Sequence, residues 1–113
     1  MSNRNNGPRR YYLAIRHRPS GGLLPNIKGY GFTRTEPTKT EPPRLFVRES
    51  SAKQALNYWL QGELYERTDS DSDFGEEITL HCKRRFDRVP ADMEIVEVEI
   101  VIRTLAEAQL RII

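Results

Sequence analysis

Apolar residues along the chain fall into short alternating runs and one helical stripe. Residues 11–18 alternate, with Tyr11, Leu13 and Ile15 on one face and Tyr12, Ala14, Arg16 and Arg18 on the other, which predicts a strand. Pro19-Ser20-Gly21-Gly22 ends it with turn chemistry. Residues 44–48 read as a short second strand. Ala52, Ala55, Leu56, Trp59, Leu60 and Leu64 recur at helical spacing opposite Lys53, Gln54, Asn57 and Gln61, which predicts the main helix at about 52–64. Ser51 with Gln54 three residues on is a capping-box pattern, and Gly62 is a candidate C-terminal cap. Trp59 is the expected anchor of the core.

Two more alternating runs follow. Ile78, Leu80, Cys82, Arg84 and Phe86 share one face of the first, and Val96, Val98, Ile100 and Ile102 share one face of the second. The connection through residues 87–92 suits antiparallel pairing of these two, which would set Lys83 and Arg85 beside Glu97 and Glu99. Residues 105–113 read as a further short helix or strand, because Leu110, Ile112 and Ile113 need burial. The expected fold is α+β, a small two-layer domain. It has an antiparallel sheet of about four strands in the order β-β-α-β-β, with one main helix packed on a face. Residues 1–9 read as a disordered basic arm and 10–113 as a single domain, with a long irregular loop at 19–43 and an acidic loop at 67–76.

Composition narrows the function classes. The chain has 113 residues, one domain's worth, with 37% hydrophobic and 30% charged residues. No run approaches the roughly 18 apolar residues of a membrane span, so no membrane partner is expected. One cysteine, Cys82, rules out an internal disulfide framework and suits a reducing cytoplasm. Its position in register with Ile78 and Leu80 predicts a buried, inert thiol. The net charge of +2 hides a gradient: residues 1–40 hold eight bases and one acid (+7), and residues 41–113 hold ten bases and fifteen acids (−5). Such asymmetry either neutralises itself on folding or marks a basic surface for an anionic partner.

The candidate contact residues lie in that basic third. Lys28-Gly29-Tyr30-Gly31-Phe32 resembles the opening of the signature octamer of the RNA-recognition motif, whose aromatics stack on bases. Thr33 and Thr35 depart from the end of that octamer. Only eleven residues separate Arg16 from Lys28, too few for the helix that fold requires between its two strands. What survives is a stacking and phosphate-binding surface. Its members are Arg9, Arg10, Tyr12, Arg16, Arg18, Lys28, Tyr30, Phe32 and Arg34, which would serve a partner protein or nucleic acid. The alternative is that half of these aromatics are core and the glycines are turns.

Other constellations fail their own tests. Counted as a calcium loop from Asp69, the sixth residue is Phe74 and the twelfth Leu80, where Gly and Glu are required. His81 and Cys82 are strand neighbours pointing to opposite faces, so neither can activate the other. No nucleophile elbow, phosphate-binding loop or dinucleotide fingerprint occurs. No catalytic residue, metal or cofactor is expected, and the chain reads as non-enzymatic.

Pro43-Arg44-Leu45-Phe46, Ala52-Lys53, Ala55-Leu56, Trp59 and Gly62, with the preceding segments 22–25 and 33–37, resemble small uncharacterised accessory proteins of bacteriophages and prophages over about half the chain. The resemblance implies an accessory product acting in the bacterial host cytoplasm by binding and modulating or inhibiting a host or defence protein complex. It brings no assigned site residues. On the residues themselves, the loop at 20–43 would be the contact surface, the acidic stretch 63–77 could imitate phosphates, and an edge strand near Ile113 would allow a homodimer.

Overall fold

A computed structural model describes residues 10–69 and 77–101. The elements are strand β1 (Tyr11–His17), a 3₁₀ helix (Gly29–Arg34), helix α1 (Glu49–Gln61), strands β2 (Glu63–Asp69) and β3 (Glu77–Lys83), a 3₁₀ turn (Pro90–Asp92) and strand β4 (Met93–Glu99). The arm at 1–9, most of the acidic loop at 67–76, the segment at 105–113 and the edge near Ile113 lie outside the described residues. The class is α+β as expected. The four strands, however, form two antiparallel pairs rather than one sheet: β1 with β4, and β2 with β3. No helix among the described residues is long and apolar enough to cross a membrane.

The β1–β4 pair runs from Tyr11 opposite Glu99 to His17 opposite Met93. Residues directly opposite share a face, so Leu13, Ile15, Met93 and Ile95 form the apolar face that carries α1. The expected partnership of β4 with β3 is thus replaced by pairing between the first and last strands. Lys83 and Arg85 do not meet Glu97 and Glu99. Arg85 reaches Glu36, Glu63 and Asp87 instead. Local alternation carries no information about which strand lies beside which, and the ladder with the longest chain separation wins here by closing the core.

Helix α1 starts at Glu49, three residues earlier than expected, with Arg48 as N-cap and no side-chain cap. The Ser51/Gln54 capping box is therefore not formed, and Ser51 lies within the first turn. Glu49 occupies that turn where the helix dipole favours an acid, and pairs with Lys53 at 3.2 Å. Ala52, Ala55 and Trp59 are buried in one cluster with Ile15, Leu24, Phe32, Phe46 and Met93, and Leu56 and Leu60 pack on its margin. Full burial of a side chain such as Ile15, Leu24, Phe32, Phe46 or Met93 contributes roughly 1.5–3 kcal/mol.

Gly62 ends the helix with φ +138°, and a Cβ there would collide with the Lys83 carbonyl. The backbone thereby turns straight into β2, so Leu64, expected on the helix, is a buried strand residue.

The segment at 19–43 is not a free loop. Leu24 N–H donates to Ile15 O at 3.0 Å, Leu23 and Thr38 exchange two bonds of 3.0 Å, and Asn26 N–H donates to Pro42 O. Leu24 and Phe32 enter the core. The second strand expected at 44–48 reduces to one bridge, Phe46 to Leu13, because prolines precede it and α1 begins directly after Arg48.

Candidate functional site

The basic-aromatic set is split by the fold. Arg9 lies outside the described residues. Arg10 is exposed, and its carbonyl accepts from Ile100 N–H at 2.7 Å. Tyr12 is half-buried on the sheet face away from α1. Arg16, directly opposite Glu94, donates from Nε to its Oε1 at 2.6 Å, and Arg18 Nε holds Oε2 at 3.1 Å, so both cations share one carboxylate. Lys28, Tyr30 and Arg34 are exposed in or beside the 3₁₀ helix. Phe32, between them, is buried, with its ring under the Arg44 guanidinium at 4.5 Å. That ring is core and presents no free face for a base.

A groove that the periodicity did not reveal lies where the 3₁₀ helix, the approach to α1, α1 itself and the β2–β3 ribbon converge. It encloses about 510 Å³. Ser51, Gln54, Ala55 and Tyr58 lie three or four residues apart on α1 and so share one helical row along it. Buried Phe46, Ala55 and Leu64 contribute to its lining. Thr33 holds the two walls together: its Oγ1 accepts from Leu64 N–H at 2.8 Å and donates to Tyr30 O at 2.6 Å.

Large apolar side chains at its edge are open to solvent: Tyr30 is 44% exposed, Tyr58 46% and Leu80 53%. Ile78, on the same ribbon face one step beyond Leu80, is 66% exposed. The side chains of β3 expected to be buried are thus exposed, Cys82 included, as is Phe86 beyond the end of the strand. Only the inner end of this face is covered, where Leu64, directly opposite Cys82, is buried at the groove, while Leu80 and Ile78 further along the ribbon stay exposed. On the other face Tyr65 and His81, directly opposite, stack with ring centroids 5.5 Å apart.

Among the described residues Arg44 is the sole charged one lining the groove. Its guanidinium lies 4.5 Å from the Phe32 ring centroid and 4.9 Å from that of Phe46. Burial draws its pKa below the ordinary guanidinium value.

A second, smaller cavity of about 340 Å³ is lined by His17, Glu36, Trp59, Asp87 and Arg88 among others. Arg88 is interior. Its Nη1 donates to Trp59 O at 2.6 Å and Nη2 to Thr35 O at 3.4 Å, while its Nε is buried with no partner among the described residues. Desolvation, then the charge of Arg85, lowers its pKa. Arg85 grips Asp87 with two bonds of 2.8 and 2.7 Å and also holds Glu36 and Glu63. The Asp87 hydrogen bond is the largest cause of a raised Arg85 pKa, and the same bond holds the Asp87 carboxyl at about 2. On the same cavity, His17 Nδ1 and Ser20 Oγ are 2.8 Å apart. Nδ1 also accepts from Ser20 N–H and Ser20 Oγ from Gly22 N–H, so the pair closes the turn after β1. Among the described residues no three His, Cys, Asp or Glu side chains gather as a metal-holding group.

In comparison with known proteins, no protein-family model, no curated protein and no solved structure matches the chain.

Proposed function

We propose that the chain is a non-enzymatic protein-binding module that docks through the groove between α1, the 3₁₀ helix and the β2–β3 ribbon. The observation that carries this reading is the grouping of Tyr30, Tyr58 and Leu80 as exposed apolar side chains around one concave surface, extended by Ile78. Tyrosines at the edge of a groove with a buried apolar floor are the usual anchors of protein interfaces, and grouped exposed apolar area marks interaction sites. The mechanism is occlusion: a partner surface held here is denied to its other ligands. The resemblance to phage accessory proteins supplies the setting, a host or defence complex in the bacterial cytoplasm.

The test is affinity capture from a bacterial lysate with four forms of the tagged protein: wild type, Tyr58→Ala, Leu80→Asp, and an Arg16→Ala/Arg18→Ala control. The reading expects one stoichiometric partner retained by wild type and control and lost by both groove variants. Equal capture by all four overturns it.

A second reading, a small DNA- or RNA-binding protein, is supported by the exposure of Lys28, Tyr30 and Arg34 in or beside the 3₁₀ helix. It is weakened by Arg16 and Arg18 sharing the Glu94 carboxylate, which offsets one of their two charges, and by the burial of Phe32. Anisotropy titration with single- and double-stranded oligonucleotides at low and physiological salt separates the two, since phosphate contact weakens steeply with salt.

A further inference from the structure

Arg44 is unlike the other cations that line the cavities or flank the core. Arg16 and Arg18 share Glu94, Lys53 holds Glu49, and Arg85 and Arg88 lie among Glu36, Glu63 and Asp87. The Arg44 guanidinium, resting on Phe32 and Phe46, has no ion pair and no side-chain hydrogen bond among the described residues. Ring faces compensate part of its charge, but they leave its fork of N–H donors unfilled.

An occupant that covers Tyr30, Tyr58 and Leu80 with apolar atoms strips the remaining water from this guanidinium. Burying an unpaired cation costs far more than apolar contact of this extent returns, unless the occupant brings an acceptor. A carboxylate is the matching group, because it takes two parallel N–H bonds from the guanidinium fork. The rest of the lining is uncharged, including Ser51 and Gln54 from the start of α1. Among the described residues one cation therefore faces the groove, which suits one carboxylate and leaves a phosphate chain uncompensated. About 510 Å³ is room for two or three apolar side chains beside it.

We propose that the groove recognises a short acidic-apolar peptide segment of the partner, with one Asp or Glu carboxylate on Arg44 and neighbouring apolar side chains against Tyr30, Tyr58 and Leu80. This rests on the docking reading above and names the chemistry of what docks.

The experiment is selection of a displayed random 12-residue peptide library on the full chain, followed by anisotropy titration of the selected peptides as synthetic probes. The peptides recovered are expected to pair an acid with apolar residues and to lose binding to Tyr58→Ala and Leu80→Asp. Replacing the peptide's acid by its amide leaves the protein untouched and is expected to weaken binding about 10–100-fold, as is Arg44→Gln, with thermal melting confirming that the variant is folded.

Groove-binding peptides that are neutral or basic, or that bind Arg44→Gln as tightly as wild type, overturn the carboxylate proposal while the docking reading stands. Selected peptides indifferent to Tyr58→Ala and Leu80→Asp, or no binder at all, overturn both. A single-stranded oligonucleotide that displaces the peptides from Arg44 also overturns it, in favour of phosphate.

Discussion

Arg88 stacks on Trp59 and at the same time donates to that residue's own carbonyl: its guanidinium carbon is 4.0 Å from the ring centroid, and Nη1 is 2.6 Å from Trp59 O. The indole Nε1–H donates in turn to Thr35 O at 3.0 Å, and Arg88 Nη2 reaches the same oxygen. One interior cation thus ties the end of α1 to the chain after the 3₁₀ helix.

Arg88→Ala is expected to lower stability by about 2–4 kcal/mol, since it removes a desolvated cation–π contact and leaves buried carbonyls short of donors. Arg88→Met, which keeps volume and deletes the orphaned Nε, is expected to cost less. Urea unfolding measures both. An alanine variant as stable as wild type would show that the stack holds nothing together.

Thr33 is the pin of the groove. Thr33→Val keeps its shape but leaves the buried Leu64 N–H without an acceptor, at about 1–3 kcal/mol. Amide exchange at Leu64 should accelerate accordingly, and Thr33→Ser should restore protection. Unchanged exchange in the valine variant would mean that β2 is held by other contacts.

Asp87 supplies a pH signature. Its folded pKa, about 2, lies below the ordinary carboxylate value near 4 because Arg85 donates to both its oxygens. A depressed folded pKa contributes stability that is present above about pH 4 and lost as pH falls toward 2. Asp87→Asn should therefore be less sensitive than wild type to acid across that window. The carboxyl carbon shift of Asp87 should titrate near 2, and a midpoint near 4 would show the Arg85 contact to be absent in solution.

Cys82 lies exposed on the outer face of the β2–β3 ribbon, its Sγ 3.6 Å from Gln61 O. The native protein is expected to react with one equivalent of a thiol reagent without denaturant. Reaction only on unfolding would mean that the ribbon face bearing Ile78 and Leu80 is covered.

Some of this was legible along the chain. The alternation at 11–18 and the stripe through Ala52, Ala55 and Trp59 appear where expected, and Gly62, a candidate cap inside the expected span, is where the helix ends, because strand pleat, helix pitch and glycine's access to positive φ act over a few residues. The buried role of Cys82 and Leu80 was misread, since alternation tells which residues share a face but not whether anything lies over it. Arg44 and Tyr58 carried no local signal at all. Their importance comes from Phe32, Phe46 and Leu80, residues far from them in sequence except for Phe46.

The sequence by itself determined the α+β class, the place of the main helix and Trp59 as its buried anchor, because hydrophobic periodicity is a local property. Tertiary structure alone decided that β1 pairs with β4, that Arg16 and Arg18 share Glu94 while Arg44 has no ion pair among the described residues, and that the apolar face of β3 is open beside a groove. Strand partnership, charge pairing and concavity arise from contacts between distant segments, and these are chosen by the global free energy of closing one core.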